Sequence, residues 1–143
     1  MSDNPFIGTW RLVSFEVHSN EGKVYYPWGE HPAGYIMYND DGYMSVSMMD
    51  PSRPRFDVSD LPRGTMEQKA AAADKYISYA GRYETRGNKV YHHVDVSLFP
   101  DWAGGDQVRN FKFEGDRLQL STDSSPEDPK GKTGHLIWER VKA

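Results

Sequence analysis

Through most of the chain apolar and polar positions alternate with a period of two, and turn residues interrupt the alternation at short intervals. This is the pattern of half-buried antiparallel strands. The first run is Gly8 to Val17, and Asn20-Glu21-Gly22 turns the chain into a short strand near Lys23 to Tyr26. Gly34 to Asn39 and Tyr43 to Met49 follow, joined through Asp40-Asp41-Gly42, whose Asp-Gly pair tolerates the positive φ of a hairpin turn. Ile77 to Arg86 and Lys89 to Leu98 flank Gly87-Asn88, and Asp106 to Glu114 and Arg117 to Thr122 flank Gly115-Asp116. A polar loop, Ser124 to Lys132, leads into a last strand from about Gly134 to Val141. Eight to nine strands linked by hairpins predict a single closed antiparallel up-and-down β-barrel. With no long repeat and no linker, residues 1–143 read as one domain.

One segment departs from the alternation. Asp50 to Tyr76 holds Pro51, Pro54 and Pro62, which cannot donate to a central ladder. Thr65 with Gln68 fits a capping box, and the alanines that follow favour a short helix. Met66, Ala70, Ala73 and Ile77 would form its narrow apolar stripe. A long connection of this kind at a barrel rim reads as a lid over the interior or as a plug in its end.

In a barrel the more apolar face of each strand points inward. That test places Val90, His92, Val94, Val96 and Leu98 inside and His93 outside. It sends Gln107, Arg109, Phe111 and Phe113 inward, and likewise Ile77, Tyr79, Gly81 and Tyr83. Gly34, Ile36 and Tyr38 face in, opposite Met44, Val46 and Met48. On the first strand Trp10, Leu12, Ser14 and Glu16 compete evenly with Arg11, Val13, Phe15 and Val17. The last strand, with Leu136, Trp138 and Arg140 against His135, Ile137 and Glu139, is little better decided.

The interior therefore collects His92, Arg109, Gln107, Tyr79, Tyr83 and Tyr38 among aliphatic and aromatic side chains. An apolar cavity with a few convergent polar groups is the usual form of a small-molecule site. Arg109 would meet a carboxylate, enolate or phenolate, or else pair internally with Glu16. His92 can exchange protons near neutral pH, or can be a core histidine satisfied by a tyrosine or a carbonyl. Trp102, in the turn Phe99 to Gly105, and the aromatic loop Tyr25 to Pro32 each sit where they could touch a ligand or cover a barrel end.

Composition narrows the partners. Net charge is −4 and the basic residues are scattered, which gives no footprint for nucleic acid or an anionic membrane. The chain has no cysteine, so disulfides, thiolate catalysis and cysteine metal sites are excluded. Met1-Ser2-Asp3-Asn4-Pro5 is not a signal peptide, no apolar run approaches the roughly 20 residues of a membrane helix, and the expected location is cytoplasmic. His92 and His93 point to opposite faces and His18, His31 and His135 lie apart, so no metal is expected. No glycine-rich phosphate loop or serine elbow suggests a cofactor or a nucleophile. A homodimer is left open.

Gly8-Thr9-Trp10-Arg11-Leu12-Val13-Ser14, Gly34-Tyr35-Ile36-Met37-Tyr38 and Asp41-Gly42-Tyr43-Met44-Ser45-Val46 resemble the bacterial and fungal lipocalin-like domain family. So do Tyr79-Ala80-Gly81-Arg82-Tyr83, the stretch His92 to Trp102, Gln107-Val108-Arg109 and Leu136-Ile137-Trp138-Glu139-Arg140. The resemblance implies a calycin-type barrel that handles small molecules, with Trp10 packed on Arg140 at its closed end. Two functions follow as expectations. In the first, the protein binds a hydrophobic or aromatic metabolite whose polar or anionic end meets His92, Arg109, Gln107, Tyr79, Tyr83, Tyr38 and Trp102. In the second, it is a cofactor-free isomerase, cyclase or hydrolase in which His92 moves a proton while Arg109 and Tyr79 steady an oxyanion. Binding is favoured, because no nucleophile–base–orienter set can be read from the spacing.

Overall fold

Every hairpin expected from the alternation forms, and each strand pairs with its sequence neighbour in antiparallel register. The computed structural model describes residues 4–124 and 128–142. Residues 1–3, residues 125–127 of the Ser124 to Lys132 loop, and residue 143 lie outside the described residues. The strands are β1 (Gly8–His18), β2 (Val24–Tyr25), β3 (Ala33–Tyr38) and β4 (Tyr43–Met49). They continue as β5 (Tyr76–Arg86), β6 (Lys89–Ser97), β7 (Asp106–Glu114), β8 (Arg117–Ser121) and β9 (Thr133–Arg140). β1 pairs with β3 at its start and with β9 along most of its length, which closes eight strands into a barrel. β2 is an added edge beside the end of β1, with Val17 opposite Tyr25.

Two bulges decide which side chains reach the interior. In β1, Leu12 sits opposite Trp138 and Ser14 opposite Ile137, leaving Val13 without a partner. An extra residue reverses the face of everything after it. Trp10 and Leu12 are therefore buried before the bulge, whereas Phe15 and Val17 line the interior after it. The even contest between the two faces of this strand was the trace of that reversal.

The second bulge corrects the reading of β6. Gly81 pairs with Val94 and Ala80 with Val96, so Asp95 is the extra residue. Val90, His92 and Val94 point inward, but Val96 is 63% exposed and Leu98 45%, both on the outer side. Ser97 takes the inner position opposite Tyr79 instead. Gly81 permits the close approach, since a Cβ there would stand 1.8 Å from the His93 carbonyl oxygen.

The lower end of the barrel is filled by aromatic side chains. Phe6 makes edge contacts with Tyr38, Phe111 and Phe113 at centroid distances of 4.9 Å. The Trp10 indole donates to the Phe6 carbonyl at 2.9 Å, and the Arg140 guanidinium lies 4.2 Å from the Trp10 ring centre. That is the contact the family resemblance implied.

The long connection carries one helix, α1 (Met66–Ala73), started by a capping box: Gln68 N donates to Thr65 Oγ1 and Thr65 N to Gln68 Oε1. Its expected apolar stripe does not pack inward. Met66 is 87% exposed and no residue of α1 is buried. Eight residues with little apolar surface offer little to bury, and the segment is held instead by Arg53, which donates to the Ala72 carbonyl and lies over the Tyr76 ring. No helix among the described residues is long and apolar enough to cross a membrane.

Candidate functional site

Above the aromatic base the barrel encloses a cavity of about 290 Å³. Phe15, Ile36, Val46, Met48, Leu136 and Trp138 supply most of its wall, the inner faces of β1, β3, β4 and β9. His92, Tyr79, Arg109 and Trp102 reach it from β5, β6, β7 and the turn after β6, and Lys132 with Thr133 lines it at the loop entering β9. No residue from 50 to 76 lines it, so the segment carrying α1 does not plug this cavity.

His92 is the pivot of the polar groups. Flanked on β6 by buried Val90 and Val94, it is 1% exposed. Its Nε2 lies 2.7 Å from the Tyr38 hydroxyl and its Nδ1 2.7 Å from the Tyr79 hydroxyl. Burial, reinforced by the nearby Arg109 charge and more weakly by His93, lowers its pKa to about 3. The ring is neutral at physiological pH, a weak proton acceptor for general base work. Burial likewise raises both tyrosines, Tyr38 well above its ordinary value, while Arg109 draws each part of the way back.

Arg109 sits opposite Val90 on β7 and is half-buried. Its guanidinium donates to the Val108 carbonyl at 2.8 Å and to Gln107 Oε1 at 3.0 Å. Glu16, the alternative partner, is turned outward by the β1 bulge and faces His18 at 3.2 Å. Among the described residues neither Arg109 nor Lys132 has an ion-pair partner. Among the described residues the cavity lining contains two cationic side chains and no carboxylate.

Of the residues singled out from the sequence, His92, Arg109, Tyr79 and Trp102 meet at the cavity. The Trp102 ring stands edge-on to Tyr79 at 5.9 Å. Tyr38 lies behind His92, and Gln107 braces Arg109 without lining the cavity. Tyr83 is drawn to the base, where its hydroxyl donates to the Asn39 carbonyl and accepts from Asn4 Nδ2. The aromatic loop is not part of the lining; Trp28 is buried against Phe15 at 5.1 Å. Lys132 was not anticipated, because a lysine in a polar loop carries no sign that it will line a cavity. Phe15 and Val17 could have been found from the change of parity after Leu12. No group of three or more His, Asp or Glu side chains among the described residues could hold a metal ion.

A closed antiparallel barrel around a small, largely apolar cavity with a few inward polar groups defines a barrel of the small-molecule-binding class. The chain belongs to the lipocalin-like domain family, whose model matches residues 7–141. It is also similar to the 4'-hydroxy-3'-methoxypropiophenone carrier protein ppsC of Aspergillus oryzae, with 34% identity over 87 residues, covering 55% of this chain and 78% of that protein. No solved structure matches the chain at a significant level.

Proposed function

We propose that this single-domain barrel binds and carries a compact aromatic molecule, with an oxygen-bearing end of the ligand directed at Arg109, Tyr79 and Lys132. The observation that carries this reading is the lining itself: the Arg109 guanidinium, with no carboxylate partner among the described residues, stands with Tyr79 in a largely apolar wall, and Lys132 adds a second cation at the loop entering β9. An oxygen with full or partial negative charge would supply the missing partner. Size supports the same class. A cavity of about 290 Å³ stands at the small end of small-molecule sites, which run from about 300 to 1,000 Å³, and suits a compact molecule. The carrier relative is named for an aryl ketone of this kind. Holding is favoured over conversion because His92 is neutral and engaged at both nitrogens. We place the carrier in the cytoplasm.

The test is a calorimetric titration with 4'-hydroxy-3'-methoxypropiophenone, with recovery of the compound afterwards. Saturable one-to-one binding, unchanged compound, and affinity reduced about 10–100-fold in Arg109→Gln are expected, the scale of a lost charge-assisted hydrogen bond. Absence of saturable binding, or appearance of a product, would overturn the reading.

A further inference from the structure

The polar chain behind the cavity has a direction, and the direction sets what the cavity can recognise. A neutral imidazole carries one N–H and one bare nitrogen. With a tyrosine hydroxyl 2.7 Å from each nitrogen of His92, one tyrosine must donate to the ring while the other accepts from it. Whichever tyrosine accepts keeps its own hydroxyl proton, and that proton must find an acceptor elsewhere.

The two ends of the chain are not equivalent. Tyr38 is fully buried, does not line the cavity, and is packed against the rings of Phe6 and Tyr83 at 4.9 and 4.8 Å. Among the described residues His92 is its hydroxyl's hydrogen-bond partner, so a Tyr38 proton turned away from His92 would be a buried donor without an acceptor. Tyr79 lines the cavity, where an occupant can accept. Burial of His92 and the Arg109 charge keep the ring neutral, so the one-donor, one-acceptor condition holds at physiological pH.

Resting on the carrier reading above, we infer that the chain runs from Tyr38 through His92 to Tyr79, so that Tyr79 presents a hydroxyl proton to the cavity and selects a ligand with a hydrogen-bond-accepting oxygen, a ketone carbonyl or its equivalent. Tyr38 donates to Nε2, Nδ1–H donates to the Tyr79 oxygen, and Tyr79 O–H is aimed at the occupant. Consecutive bonds of this kind polarise one another and strengthen the terminal donor. Tyr79 O–H and the Arg109 guanidinium then present donors side by side on this part of the wall, a poor match for an ammonium or amide N–H at the same place.

Two measurements on the full chain test this separately. ¹⁵N-edited NMR of histidine-labelled protein at pH 7 reads the tautomer: His92 is expected with a protonated, pyrrole-type Nδ1 and a bare, pyridine-type Nε2 in the wild type. A protonated Nε2 in the wild type overturns the direction, whatever the protein binds. The second compares 4'-hydroxy-3'-methoxypropiophenone with 2-methoxy-4-propylphenol, which lacks the carbonyl. The ketone should bind about 10-fold tighter to wild type, and this preference should shrink in Tyr79→Phe to what Arg109 alone supplies. A ketone preference undiminished in Tyr79→Phe overturns the contact. If neither compound binds while Nδ1 carries the proton, the direction stands and the proposed occupant falls.

Discussion

Gly8, Trp10 and Arg140 act as one unit at the closed end of the barrel. Gly8 has φ of +133°, and a Cβ there would stand 2.8 Å from Arg140 Nη1. Glycine is required both for its backbone angle and for the space it leaves the guanidinium. Arg140 then donates to the Ile7 and Pro5 carbonyls, each at 2.8 Å, while lying over the fully buried Trp10 ring. Trp10→Ala removes the ring that Arg140, Phe113 and the Phe6 carbonyl all contact. It should cost about 3–5 kcal/mol in urea unfolding, the usual range for a buried aromatic truncation. A loss below about 1 kcal/mol, ordinary for surface sites, would show that the base does not depend on this ring. At this scale the sequence was informative where side-chain chemistry is local. His92 was legible as an inner residue because Val90 and Val94 bracket it on the same face. Val96 and Leu98 were misplaced because strict alternation cannot register the extra Asp95, although Gly81 in the middle of the facing strand was a physical hint of a bulge.

At the scale of elements, three neighbouring strands are tied on their outer face by His93. Its Nδ1 lies 2.7 Å from Asp106 on β7 and its Nε2 2.9 Å from Glu84 on β5. Hydrogen bonds to Asp106 first and Glu84 second raise its pKa above the ordinary 6.5. The folded state therefore holds the proton more tightly than the unfolded chain, and this contribution is complete below the unfolded value and lost as pH rises through the folded one. On the acid side Glu84, its pKa lowered mainly by the His93 hydrogen bond, loses its share when it protonates. The melting temperature of wild type should exceed that of His93→Gln at pH 6 and converge with it by pH 9. An equal gap at both pH values would remove the bridge. The segment from 50 to 76 gives a second test. Since none of its residues lines the cavity, ligand should leave its hydrogen exchange unchanged while slowing exchange in β6. Ligand protection concentrated in α1 would support the lid that the prolines and alanines first suggested.

For the whole molecule, closure was readable in advance because it depends on hairpin-forming turns between short alternating strands, and those signals are local. The shape of the cavity was not, because it depends on two changes of parity and on where the Ser124 to Lys132 loop ends. A chain of net charge −4 with two cationic side chains along its cavity is polarised toward that cavity. Association of an anionic aromatic probe such as a hydroxybenzoate should slow as ionic strength rises, and slow further in Lys132→Gln, when followed by stopped-flow fluorescence. Indifference to both salt and Lys132 would remove this polarisation from the account. The central claim is that an oxygen of the ligand enters oriented by donors on the β5–β7 side of the barrel. A crystal structure of the complex with 4'-hydroxy-3'-methoxypropiophenone measures this directly. The account predicts the ring among Phe15, Leu136 and Trp138, with a ligand oxygen within hydrogen-bond distance of Tyr79 Oη and the Arg109 guanidinium; a ligand bound outside the barrel, or turned with its alkyl end against Arg109, would contradict it.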